Sequence, residues 1–112
     1  MMIYKIFRAH EWAAFEQAGK TAGAPVDLAD GFVHFSTGKQ VAETVSKYFA
    51  NEDGLTILAL DSAALGDALK WEPSRGGDLF PHLYRPLHML DIIWSKPLAR
   101  GPKGHIFPTG VL

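Results

Sequence analysis

The hexapeptide Leu55-Thr56-Ile57-Leu58-Ala59-Leu60 limits what this chain can fold into more than any other segment. A strand with one solvated face alternates apolar and polar residues. This run is almost continuously apolar, so it belongs at the centre of a sheet covered on both faces. The material to cover it must come from the remainder of 112 residues. Surface scaling leaves about 6,000 Å² exposed out of roughly 18,000 Å² in the unfolded chain, which is enough for one ordinary core. A single domain spanning 1–112 follows. Hydrophobic residues at 47% and charged residues at 21% place the chain among globular rather than disordered sequences.

The flanking segments supply the cover. Met2 to Arg8 mixes apolar and polar residues at period two and reads as a first strand. From His10 to Gly19 the spacing changes: Trp12, Phe15 and Ala18 recur as on a helix, and Gly19 suits its C-terminal cap. Gly23 to Asp30 reads as a loop, and Gly31 to Ser36 as a strand. Thr37 with Gln40 has the spacing of a capping box, which predicts a helix from Thr37 with Val41, Val45, Tyr48 and Phe49 as its core stripe. Asp61 and Ser62 cap a helical turn through Leu65. Lys70-Trp71-Glu72 is a brief strand stopped by Pro73, with Trp71 inward and Glu72 on the face of Lys70. Pro86 to Trp94 reads as a long final strand, and the tail from Pro97 as an ordered loop that packs back. Strands outnumber helices, and the helices gather in the first half. That pattern favours α+β over a doubly wound sheet.

Charge and composition remove several function classes. A net charge of −1 with interspersed signs and no basic block argues against an extended nucleic-acid footprint, while a small nucleotide or single phosphate stays open. Without cysteine there is no disulfide, thiol nucleophile or thiolate metal site. No apolar stretch approaches the ~20 residues of a membrane span, and Met1-Met2-Ile3-Tyr4-Lys5 lacks the apolar run of a signal peptide. The expectation is a soluble cytoplasmic protein.

Chemistry concentrates in two histidine segments, Asp30-Gly31-Phe32-Val33-His34-Phe35-Ser36-Thr37 and Phe80-Pro81-His82-Leu83-Tyr84-Arg85-Pro86. Polar groups among apolar residues cost free energy unless paired, so they mark candidate sites. Alternation puts Phe32, His34 and Ser36 on one face and Val33 and Phe35 in the core. His34, Ser36 and Thr37 then precede a helix N-terminus that favours an anion, unless Ser36 and Thr37 only cap and a backbone carbonyl satisfies His34. In the second segment Pro81 and Pro86 stiffen the loop holding His82, Tyr84 and Arg85. Arg85 can pair with a phosphate or with a surface carboxylate, and Tyr84 can stack on a base, donate its hydroxyl or simply pack. Glu72, beside Trp71, is either an edge-strand charge or a carboxylate tuned by desolvation. His88 is either a partner for Asp91 or exposed. His34, His82 and His88 lack the tight spacing of a metal site, and no metal is expected.

The order of these motifs resembles one family. Trp12 after a short first strand, Gly31-Phe32-Val33-His34-Phe35-Ser36-Thr37 with Gln40, Lys70-Trp71-Glu72, Phe80-Pro81-His82-Leu83-Tyr84 and Gly104-His105-Ile106-Phe107-Pro108 together look like the bacterial family known as domain of unknown function 952. The resemblance implies a compact α+β fold with a split, mostly antiparallel sheet and two main helices, similar to ADP-ribosyltransferases. It implies a cleft for NAD or a related nucleotide. His34 and Ser36 would line that cleft, Thr37 would meet phosphate, and Glu72 or His82 would stabilise a sugar cation. The usual catalytic Glu motif of such transferases has no convincing counterpart here, and fold likeness does not carry a reaction with it. Two other classes stand beside this one. One is a non-catalytic module for a small anionic metabolite. The other is a phosphoesterase using two His-x-Ser/Thr motifs, where His34-Phe35-Ser36 fits and His82-Leu83-Tyr84 does not.

Overall fold

A computed structural model describes residues 1–112, the side chain of Arg75 excepted. The apolar hexapeptide lies in strand β5 (Leu55–Asp61), between β1 (Met2–Phe7) and β9 (Trp94–Gly101). With β4 (Ser36–Thr37) beyond β1 and β10 (Gly104–Ile106) beyond β9, these form a five-stranded sheet in the order β10-β9-β5-β1-β4. Every pairing is antiparallel. Alternation along β1 and β5 feeds two cores, one on each face. Ile3, Phe7, Leu58 and Leu60 pack with Phe15, Val33, Phe35, Leu65, Leu83 and Leu87. Tyr4, Ile6, Leu55, Ile57 and Ala59 pack with Val41, Val45, Leu98 and Val111. Both faces are thus covered, as the uninterrupted apolar run requires. The accessible surface of 6351 Å² matches the scaling expectation for a folded chain of this mass.

Two smaller antiparallel sheets complete the α+β fold. One pairs β2 (Lys20–Thr21) with β8 (Leu87–His88). The other runs β3-β7-β6, from β3 (Val33–His34), β7 (Leu79–Leu83) and β6 (Leu69–Pro73). Helix α1 (Ala9–Ala18) follows the first strand and ends at Gly19, whose φ of 78° is a left-handed conformation that glycine adopts without strain. Helices α2 (Pro25–Asp30) and α3 (Val41–Tyr48) flank the strands that carry the first histidine segment. Among the described residues, no helix is long and apolar enough to cross a membrane.

Several local expectations are corrected. The segment Gly23–Asp30 is not wholly loop: Pro25 opens α2 at a position where its missing N–H costs nothing. Gly31 to Ser36 is two strands rather than one, because the chain changes sheet at Phe35. His34 pairs with His82 of β7, whereas Ser36 pairs with Tyr4 of β1. Thr37 is a strand residue, and α3 starts only at Val41. One arm of the expected capping box survives, the Gln40 side chain accepting from the Thr37 N–H at 3.0 Å. Val41 and Val45 are buried, but Tyr48 is exposed. Trp71 is also exposed rather than inward, since β6 is the outer strand of its sheet. Pro86 to Trp94 is broken by a 3-10 turn at Met89–Asp91, where the Asp91 carboxylate accepts from the His88 N–H at 2.9 Å. The tail from Pro97 is only partly loop: it completes β9 and turns back as β10. Residues 107–112 then leave the sheet, and Val111 packs into the core as expected.

Leu58 is fully buried at the centre of β5, so Leu58→Ala is expected to cost about 2–5 kcal/mol. Urea denaturation measures this directly, and a loss below about 1 kcal/mol would mean that β5 is not the centre of the core.

Candidate functional site

The change of sheet at Phe35 opens a cleft. Strand β4 covers β1 only at Ile3 and Tyr4, and beyond them the chain leaves to join β7. A cavity of about 510 Å³ lies along the uncovered part of β1, bounded by Lys5 and Arg8, by Ala24–Val26 and Asp30 of the α2 segment, by Ser36, by α3, and by Phe80 and His82. That volume suits a small organic ligand.

One wall is held by a buried carboxylate. Asp27, 1% exposed, stands at the first turn of α2 and accepts the Ala24 N–H at 2.7 Å. Its Oδ2 also meets Lys5 Nζ at 2.8 Å, and Oδ1 accepts the His34 N–H at 2.9 Å and faces His34 Nδ1 at 2.6 Å. Lys5 Nζ makes a further bond to the His34 carbonyl at 2.9 Å. A Cβ on Gly23 would collide with the Asp27 carboxylate, so only glycine fits there. Burial pushes the Lys5 ammonium below its ordinary value, against the pull of Asp27. Burial likewise disfavours charge on Asp27. There it is outweighed by the hydrogen bond from His34 and by Lys5, which hold the carboxyl below the usual range. The two directions pull apart on where the proton sits, and the donors converging on one carboxylate decide it: Asp27 is ionised.

His34 is saturated. Its Nδ1 faces Asp27, and its Nε2 lies 3.0 Å from Asp30 Oδ2. The adjacent His82 differs. Its Nδ1 is 2.8 Å from Glu72 Oε1, and Tyr84 donates its hydroxyl to that same oxygen at 2.7 Å. The Nε2 of His82 is buried and has no partner among the described residues. Phe32 stacks on the His82 ring, centroids 4.2 Å apart and planes 26° apart, and also touches His34 and Tyr84. Hydrogen bonds from Tyr84 and then His82 hold the Glu72 carboxyl below its ordinary range, and the same bond to Glu72 raises the Tyr84 phenol.

The residues singled out in the sequence therefore divide. His34, Glu72, His82 and Tyr84 come together around Phe32, and Ser36 borders the cleft with its hydroxyl 2.9 Å from that of Thr44. Thr37 lies in β4 and is not among the cleft residues. Arg85 turns to Asp91 in a two-pronged pair at 2.9 and 3.0 Å, the surface-carboxylate alternative, and does not border the cleft. Among the described residues, no group of three or more His, Asp or Glu side chains is placed to hold a metal ion. Lys5, Asp27 and Phe32 were not among the candidates. Lys5 had a signal, a charge inside a strand buried on both faces. Phe32 had one in sharing the face of His34. Asp27 had only the spacing of an acid in the first turn of a helix, three residues after Ala24, since its side-chain partners Lys5 and His34 lie outside that turn.

Because the folded-state pKa of Asp27 is depressed, its ionisation stabilises the fold fully above the ordinary carboxylate value of about 4. That contribution is lost as pH falls through the lower folded-state value. Asp27→Asn is expected to flatten the acid limb of the stability profile below about pH 5. At neutral pH it should lower stability by about 3–5 kcal/mol through the uncompensated Lys5. Urea unfolding across pH measures both effects, and a variant with the wild-type acid limb contradicts the assignment.

Known proteins agree with this architecture over most of the chain. The chain is 45% identical to protein CC0527 from Caulobacter crescentus in its crystal structure, covering 94% of this chain and 92% of that one with a TM-score of 0.89. Against the solution NMR structure of CC0527 the identity is again 45%, covering 93% and 90% of the two chains, with a TM-score of 0.84. No curated protein matches. The family model described as "Protein of unknown function (DUF952)" matches residues 6–95, the stretch that carries both histidine segments and the whole cleft boundary except Tyr4 and Lys5. The chain belongs to the DUF952 family.

Proposed function

We propose that the protein binds a small, nucleotide-like or otherwise anionic molecule in the cleft beside β1, with His82 as the polar group that meets it. The observation carrying this reading is the buried, unpartnered Nε2 of His82. Buried polar atoms in folded proteins are almost always paired, so this orphan, on a residue of the cavity wall, is the atom a ligand would satisfy. The surroundings suit such a ligand. Lys5 and Arg8 border the cleft with their charges already met by Asp27 and Glu52, which leaves His82 as the polar group for a ligand. Tyr4, Phe49 and Phe80 line the cleft with aromatic surface for a planar ring. NAD and ADP-ribose head the candidates, in keeping with the likeness to ADP-ribosyltransferases that the motifs suggest. Glu72 is not among the cleft residues, so on this reading it acts through His82 and not on a sugar cation directly.

A thermal-shift panel of NAD, ADP-ribose, nucleotides and phosphorylated metabolites tests the reading. A ligand that binds only the native state, at about 100 times its dissociation constant, stabilises by about 2.7 kcal/mol. For a domain of this size that is a rise in Tm of about 10 °C. His82→Gln, still unfolding cooperatively, is expected to lose the rise. A panel without any stabilising compound, or a His82→Gln variant that keeps the full shift, contradicts the proposal.

A further inference from the structure

We propose that His82 keeps a bare lone pair on Nε2, buried in the wall of the cleft. It would accept a hydrogen bond from a hydroxyl or N–H of the bound molecule and act as a general base toward that proton, with Glu72 and Tyr84 as positioning residues. This rests on the reading of the cleft as a ligand site and names the chemistry required at one end of the ligand, a hydrogen-bond donor.

Neutral imidazole carries one proton, and its location follows from the partners. Glu72 Oε1 already accepts the Tyr84 hydroxyl, and the carboxylate is ionised, so toward His82 it can only accept. The His82 proton therefore sits on Nδ1, at 2.8 Å from that oxygen. A proton on Nε2 as well would create a charged ring with a buried N–H that nothing receives, and buried orphan donors are rarer than under-used acceptors. The ring cannot swing away easily, because Phe32 lies against its face at 4.2 Å. His34, although only 5.1 Å away, has both nitrogens on carboxylates and does not compete. A carboxylate that fixes the tautomer and leaves the far nitrogen open is the arrangement in which a histidine accepts protons. The glutamate of this pair is itself held by a tyrosine.

The step balances without a further reactant. The ligand's O–H or N–H bond breaks, its proton forms a new N–H bond at Nε2, and the bonding pair stays on the ligand heteroatom. The imidazolium charge is met by Glu72 across Nδ1–H.

Nitrogen-15 NMR of histidine-labelled protein decides this before any ligand is known. In the ligand-free protein the Nε2 of His82 is expected to resonate as an unprotonated, pyridine-type nitrogen, and Nδ1 as a protonated one. Glu72→Gln, which can donate as well as accept, is expected to admit the opposite tautomer while the fold is retained. An Nε2–H in the ligand-free wild type overturns the proposal, whatever the cleft binds. Addition of ADP-ribose separates the two readings. Binding that leaves the Nε2 resonance unmoved overturns the proposal and spares the ligand site. An unprotonated Nε2 with no response to any compound of the panel supports the tautomer assignment and counts against the ligand set.

Discussion

The carboxylate of Asp27 is the interaction on which the rest of the site depends. It reaches β1 through Lys5, the start of α2 through the Ala24 N–H, and β3 through both the backbone and the ring of His34. A charge removed from water is tolerated only when its partners replace the lost hydration, and removing any one of them strands the others. The segment from Gly23 to His34 is therefore locked onto β1 by electrostatics where no strand pairing holds it. The five-stranded sheet can then stop short at Tyr4 and leave an open edge for the cleft without the neighbouring α2 drifting away.

The two histidines show how partners, more than residue type, decide what a side chain can do. His34 and His82 are cross-strand neighbours on the same face of one small sheet. His34 has a carboxylate at each nitrogen and serves as a clamp between Asp27 and Asp30. His82 has one carboxylate, and its second nitrogen is buried and unmet. The first is spent on structure. The second has one nitrogen unspent, the group assigned to the proposed ligand.

How far the sequence revealed this depended on whether the deciding contacts were local. The first strand, α1 with its Gly19 cap and the doubly covered β5 were legible because periodicity and capping act within a few residues. The chemistry-bearing segments were legible too, as polar groups out of place. What was hidden is non-local. The alternation from Phe32 to Ser36 continues undisturbed through Phe35, and only the competing partners β7 and β1 split it. The alternation from Pro86 to Trp94 was misleading for a related reason: Asp91, held by Arg85, folds Met89–Asp91 into a turn. Asp27 looked like an ordinary loop acid, since its side-chain partners Lys5 and His34 lie 22 residues before it and 7 after it.

Amide chemical-shift mapping tests the central claim, that the gap left where β4 parts from β1 is the binding site. Titration with whichever compound stabilises the protein should perturb Lys5, Ala24, Val26, Ser36, Phe80 and His82 together, residues that meet around the cleft. Saturable shifts confined to the opposite side, around Arg85 to Asp91 or the β9–β10 hairpin, would contradict it.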